Sequence, residues 1–242
     1  PTFSADNSKV AYALENNLYV YDIAAKTTKQ ITTDGKKNSI INGITDWVYE
    51  EEFSFVKAYD WNATGDKIAY IRFDETDVPE FSMDVYGNDL YQTQYVFKYP
   101  KAGEKNSVVS LHIYDLKTNI GSEVKLGNYS DFYIPRIQWT ADARALSVQV
   151  INRHQNDLDL IFVDANTGLA TVVLNEKDKA YIDITDNLTF LKDNSFIWTS
   201  EKDGYNHIYH YSKMGKLISQ VTKGPWEVTD YYGFDEKTGN IF

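Results

Sequence analysis

Three consecutive carboxylates, Glu50, Glu51 and Glu52, lie in the segment GITDWVYEEEF, residues 43–53. Trp47 and Tyr49 precede them, and Phe53 and Phe55 follow. Carboxylates that aromatic neighbours shield from water can accept the donors of a cation in charge-assisted hydrogen bonds, strengthened by a lowered dielectric. Crowding like charges is unfavourable, and an incoming cation would relieve it. The plainer alternative is an acidic surface loop with solvated glutamates and Trp47 stapled to the core. Geometry restricts the first reading. Neighbouring residues on a strand point to opposite faces, whereas on a helix they diverge by about 100°. DWVYEEEF is therefore expected to form a short helix or tight turn, with Asp46 as its N-cap.

Other residues with chemical potential are fewer. Of the four histidines, His112, His154, His207 and His210, the last two lie three apart in a strand pattern and should face opposite ways. No metal site is expected there. The turns SADNSK, NATGDK and DANTG lack the spacing and distal Glu of a calcium loop and read as Asx turns. No cofactor is expected. Arg72, Arg136, Arg144 and Arg153 are the only arginines. Arg153 could face a central cavity or pair at the surface with Asp157 or Asp159.

The elements that must position these residues repeat. An aromatic residue, a polar turn and an alternating strand recur at Phe3, Trp61, Trp139, Phe190 and Phe234. A second strand follows most of them, as in NLYVYDIAAKTTKQIT and LIFVDANTGLATVV, so each unit reads as hairpins. The last two intervals, 51 and 44 residues, suit one four-stranded propeller blade, usually about 40 to 50 residues. The first two are longer and imply insertions. One, about residues 42–56, carries the glutamates. The other, about residues 73–109, holds Phe81, Tyr86, Tyr91, Tyr95, Phe97 and Tyr99 and is too aromatic for a solvated loop. The expected fold is all-β: a β-propeller of four-stranded antiparallel blades, here an arc of about four to five. A β-sandwich is the alternative.

The 242 residues include 43% hydrophobic and 15% aromatic positions, enough for a packed, strand-rich core. With 24 basic against 35 acidic residues the net charge is −11, a field that repels phosphate backbones and attracts cations. Nucleic acid is not an expected partner. Cysteine is absent, which excludes disulfides. No apolar run is long enough to span a membrane. The chain opens inside a strand pattern and stops at KTGNIF, and both ends are expected to be cuts in a longer polypeptide.

In order along the chain, DWVYEEE, YPKAG, EKDGYNHIY and TKGPWEV resemble the dipeptidyl peptidase IV group of prolyl oligopeptidase-family (S9B) serine peptidases. The resemblance implies that residues 1–242 are part of an eight-bladed N-terminal propeller preceding a C-terminal α/β-hydrolase domain with a Ser-His-Asp triad. No G-x-S-x-G motif occurs in this sequence. Catalytic residues are therefore expected outside it, and the chain alone should be inactive. Such enzymes release X-Pro or X-Ala dipeptides from peptides with a free N-terminus. By resemblance, Glu51 and Glu52 hold the substrate α-ammonium, with Asp46, Trp47, Tyr49 and Glu50 in support.

The resemblance further implies a homodimer built through the 73–109 arm and a periplasmic, cell-surface or secreted location, as in bacterial relatives. The family's carbonyl-binding arginine would precede Pro1. A second arginine, found in vertebrate relatives, would fall near AYIDITDNLTF, which has none; Tyr181 is expected there as a buried blade residue, with lining of the far side of the substrate pocket as the alternative. A prolyl tripeptidyl peptidase propeller, or a propeller that binds without catalysis, are the alternatives.

Overall fold

The computed structural model describes residues 1–242 and divides into two compact units, Pro1–Val124 and Lys125–Phe242. In the first unit β1(Thr2–Phe3), β2(Lys9–Leu14), β3(Asn17–Asp22) and β4(Thr27–Gln30) form an antiparallel sheet in sequence order. The β2–β3 turn uses Glu15 and Asn16, both with positive φ, 48° and 62°. That backbone twist matches the right-handed twist of the flanking strands.

The second sheet is interrupted. β5(Ile40–Asn42) and β6(Tyr59–Trp61) share one edge of β7(Lys67–Asp74), with Asn42 opposite Arg72 and Tyr59 opposite Tyr70. They act as one edge strand broken by an excursion. Its base is pinched: Ala58 N–H donates to Gly43 O at 3.0 Å, and both residues hydrogen-bond to Ile71. Gly43 permits this with φ +75°, where a Cβ would also stand 3.1 Å from Leu18 Cδ1. The excursion carries the chain's one helix, α1(Trp47–Glu52).

A second excursion separates β7 from the next blade strand. It is a hairpin of β8(Glu80–Val85) and β9(Thr93–Lys98), paired only to each other. The sheet then resumes with β10(Val108–Asp115) and β11(Ile120–Val124). Ala11, Leu18 and Val20 of the first sheet pack on Tyr59, Trp61, Ile68, Tyr70 and Tyr114 of the second. Tyr59 Oη donates to Ala11 O at 2.9 Å and ties the two together.

The second unit has the regular sheet β12(Phe132–Trp139), β13(Ala145–Asn152), β14(Asp157–Asp164), β15(Ala170–Lys177). Next comes β16(Thr189–Phe190), β17(Phe196–Ser200), β18(His207–Tyr211), β19(Leu217–Gln220), and finally the pair β20(Phe234–Asp235), β21(Asn240–Ile241). Phe162 joins the two larger sheets through ring contacts to Phe190 and Phe196 at 5.7 and 5.8 Å.

Four of the five aromatic anchors oppose the residue seven positions on, and Phe190 the residue six on. Phe3 opposes Val10, Trp61 opposes Ile68, Trp139 opposes Leu146, Phe190 opposes Phe196 and Phe234 opposes Ile241. Phe3, Trp61, Trp139 and Phe190 end their strands before the polar turn, and Phe234 opens a two-residue strand. The expected blades are therefore present as four complete sheets and the first two strands of a fifth. Asx bonds close the turns between strands: Asp164 accepts from Asn166 N–H and Thr167 N–H, both at 2.9 Å.

Candidate functional site: an acidic helix let into a blade

α1 forms because its ends are satisfied and its middle residues are anchored. Asp46 is extended at φ −78°, ψ 179° and accepts Tyr49 N–H on Oδ1 at 3.0 Å, the N-cap that the sequence implies. Its other oxygen, Oδ2, accepts Ser107 Oγ at 2.5 Å. Asp46 is buried, and that burial pushes its carboxyl up while these donors pull it down. At the far end Phe53 N–H donates to Tyr49 O at 3.2 Å. Thr45 closes the loop beneath, its N–H donating to Val56 O at 3.1 Å and its hydroxyl to Phe55 O at 3.0 Å.

The buried face is Val48 and Tyr49. Tyr49 lies edge-on to Phe73 of β7 at 4.8 Å and contacts Phe53 at 5.2 Å and Phe55 at 5.9 Å. Trp47 packs on Tyr99 at 4.3 Å. The expectation that aromatics would shield the glutamates from water is corrected here. The rings pack beneath the helix and at its start, while Glu50, Glu51 and Glu52 are all exposed. None of the three carboxylates has a hydrogen-bond or ion-pair partner within the chain. The sequence pattern was right about a helix and wrong about which face the rings cover.

A second carboxylate lies nearby that sequence reasoning passed over. Glu75, immediately after β7, is 6% exposed, and its backbone N–H donates to Ser39 O at 2.8 Å. Burial, then the neighbouring Asp46 charge, pushes its carboxyl up to about 7, against the pull of Lys98. Lys98 itself donates to Val78 O at 2.9 Å and Thr76 O at 3.1 Å and pairs with Glu80 at 3.7 Å. Nothing in FDETDVP distinguishes Glu75 from its acidic neighbours Asp74 and Asp77. Its burial comes from segments distant in sequence.

The remaining candidates separate. His207 bonds Thr222 Oγ1 at 3.0 Å and Gly224 O at 3.1 Å, whereas His210 bonds Ser195 Oγ at 2.9 Å; they share no site. Arg153 pairs with Asp131 at 3.4 Å. Asp157 and Asp159 accept from Asn175 across the β14–β15 ladder, at 2.9 and 2.8 Å.

Tyr181 is 51% exposed rather than a buried blade residue, because its segment forms a loop between β15 and β16. Its hydroxyl bonds Gln155 Oε1 at 3.1 Å. It lines a cleft of about 480 Å³ in the second unit, together with Glu176, Asp183, Asp186 and Lys202. Glu176 accepts Trp198 Nε1–H at 3.0 Å and is pushed up by burial. Burial lowers Lys202, whose ammonium lies 3.8 Å from the Tyr209 ring centre.

Successive four-stranded antiparallel sheets, one of them opened to present an acidic helix, define a propeller-type fold. The family model described as the dipeptidyl peptidase IV (DPP IV) N-terminal region matches residues 1–242, and the chain belongs to that family. Among solved structures, Porphyromonas gingivalis dipeptidyl peptidase 4 superimposes with a TM-score of 0.96 at 42% identity, covering 100% of this chain and 34% of that one. Dipeptidyl aminopeptidase B of Saccharomyces cerevisiae is 30% identical over 94% of the chain, and human prolyl endopeptidase FAP is 32% identical over 95%. The chain spans about a third of the length of these relatives, 30% and 32% of the two sequences.

Proposed function

We propose that these residues gate and recognise substrate in a DPP IV-like serine exopeptidase that releases X-Pro and X-Ala dipeptides, and that Glu51 and Glu52 bind the substrate α-ammonium. The observation that carries this reading is the capped, pinned helix α1, which presents adjacent carboxylates with no partner of their own. A peptide α-amine has a pKa of about 7.7 to 8.0 and offers three donors when protonated. Two neighbouring carboxylates can each accept one. The charge left unneutralised in the free chain then favours the cation. Asp46 supports the pair as N-cap, Tyr49 as anchor, and Trp47 and Glu50 flank them. A C-terminal α/β-hydrolase domain of the same polypeptide supplies the catalytic triad, and the protein works in the periplasm, at the cell surface or as a secreted enzyme.

In the full-length enzyme, Glu51→Gln and Glu52→Gln are each expected to lower kcat/KM on an X-Pro chromogenic substrate by about 10- to 150-fold. This corresponds to the roughly 1.5 to 3 kcal/mol of a charged hydrogen bond. Wild-type rates in both variants would remove the pair from the mechanism. The relative named a prolyl endopeptidase supports a second comparison, because internal cleavage needs no free amine. Blocking the substrate N-terminus by acetylation is expected to abolish cleavage here. The length of the released fragment separates a dipeptidyl from a tripeptidyl peptidase.

The β8–β9 hairpin is the proposed dimer arm. It leaves Phe81, Met83, Val85, Tyr86, Leu90, Tyr91 and Tyr95 exposed, an apolar surface of the kind that marks a protein interface. Replacing the hairpin beyond the Ser82–Val96 pair with a tight turn keeps its root and removes its tip. Light scattering of that full-length variant is expected to show a monomer; a retained dimer would place the interface elsewhere.

A further inference from the structure

The root of the hairpin excursion touches α1 at its most sensitive point. A six-residue helix is far too short to hold its own geometry, so tertiary contacts decide where its side chains stand. Three sets of contacts hold α1. Tyr49 anchors it from beneath on Phe73, and the Thr45–Val56 and Gly43–Ala58 bonds close its base. The third set comes from the returning limb of the excursion, between β9 and β10. Ser107 Oγ donates to Asp46 Oδ2 at 2.5 Å, and the Tyr99 ring lies 4.3 Å from that of Trp47. Tyr99 is itself fixed by its N–H bond to Pro79 O at 2.9 Å and by the Phe81 ring at 5.5 Å.

We propose that Ser107 and Tyr99 are positioning residues for Glu51 and Glu52, so that the excursion's root sets the helix on which the amine is captured. The inference rests on the amine-binding reading of that pair. Its physical basis is the Asp46 carboxylate, which is 6% exposed and has one oxygen on the helix and the other on Ser107. Without the Ser107 hydroxyl, a buried charged oxygen loses its donor, which is strongly unfavourable. Asp46 then turns toward water and releases the Tyr49 N–H. The first turn loosens, and both glutamates move with it. Neither Ser107 nor Tyr99 needs to touch substrate.

The test uses the full-length protein with Ser107→Ala, Ser107→Thr and the double variant Glu51→Gln/Glu52→Gln, alone and combined. Ser107→Ala is expected to reduce kcat/KM on an X-Pro substrate by roughly 5- to 30-fold, mainly through KM, and to accelerate amide exchange at Tyr49–Phe53. Ser107→Thr, which keeps the hydroxyl, is expected to restore both. In the Glu51→Gln/Glu52→Gln background the Ser107→Ala penalty should shrink to about twofold or less, because the hydroxyl acts through that pair. Full additivity, or unchanged exchange in Ser107→Ala, overturns the positioning role. Silent Glu51→Gln and Glu52→Gln overturn the amine reading instead, and the exchange measurement keeps the two failures apart.

Discussion

Tyr49→Ala is expected to lower the unfolding free energy of the first unit by about 3 to 5 kcal/mol, the usual loss when a large buried aromatic is truncated. Tyr49 is 1% exposed and joins the acidic helix to the sheet through Phe73, with Phe53 and Phe55 closing around it. The cavity would open between a rigid sheet and a six-residue helix, so collapse of the helix onto the sheet is the main relaxation available. Such a collapse moves Glu51 and Glu52. The variant should therefore lose amine recognition along with stability, whereas Tyr49→Phe keeps the ring and should retain most of both. Urea unfolding monitored on the full-length protein and on this chain measures the effect. A loss below about 1 kcal/mol would show that the helix does not depend on this anchor.

The second large effect depends on pH. Glu75 ionises at about 7 in the folded chain, against the ordinary 4.5. Between those values the folded state holds the proton and the unfolded state does not. Stability linked to Glu75 is thus fully present below about pH 4.5 and is lost as pH rises through 7. A tenfold change in an ionisation equilibrium is worth about 1.4 kcal/mol, so the loss comes to about 3 kcal/mol. Glu75→Gln keeps the neutral shape at every pH. It should match wild type near pH 4.5 and exceed it by about 2 to 3 kcal/mol at about pH 8, in urea titrations run at both pH values. Burial sets this response first; Asp46 and Asp74 add to it by disfavouring the charge, and Lys98 opposes it. Parallel pH profiles for the two proteins would mean that Glu75 is solvated and ionises as an ordinary glutamate.

Both predictions concern residues that the sequence ranks very differently. Tyr49 is visible in DWVYEEEF as part of a helix-compatible pattern, and Asp46 as the cap that opens it. Those assignments need only bond geometry and capping chemistry, which act over three or four residues. Glu75, by contrast, is one acid among several in FDETDVP, and Ser107 is one polar residue in EKNSVV. Their importance arises where residues 46, 75, 98 and 107 meet, a juxtaposition made by two excursions from the same sheet. The same limit explains two corrected expectations: rings placed around the glutamates rather than beneath the helix, and Tyr181 placed in a blade core.

What the sequence by itself determined is therefore the repeating part. Five aromatic anchors, each followed by a polar turn and an alternating strand, specify antiparallel hairpins, because strand period and turn chemistry are local properties. Asp46 ahead of WVYEEE points to a short helix or tight turn with a capped start, again from local chemistry. Only the tertiary structure decided that the helix interrupts one blade edge, that a hairpin root clamps its cap, and that Glu75 is buried nearby. Burial and electrostatic coupling depend on which distant segments fill the space around a group, and no short stretch of chain carries that information.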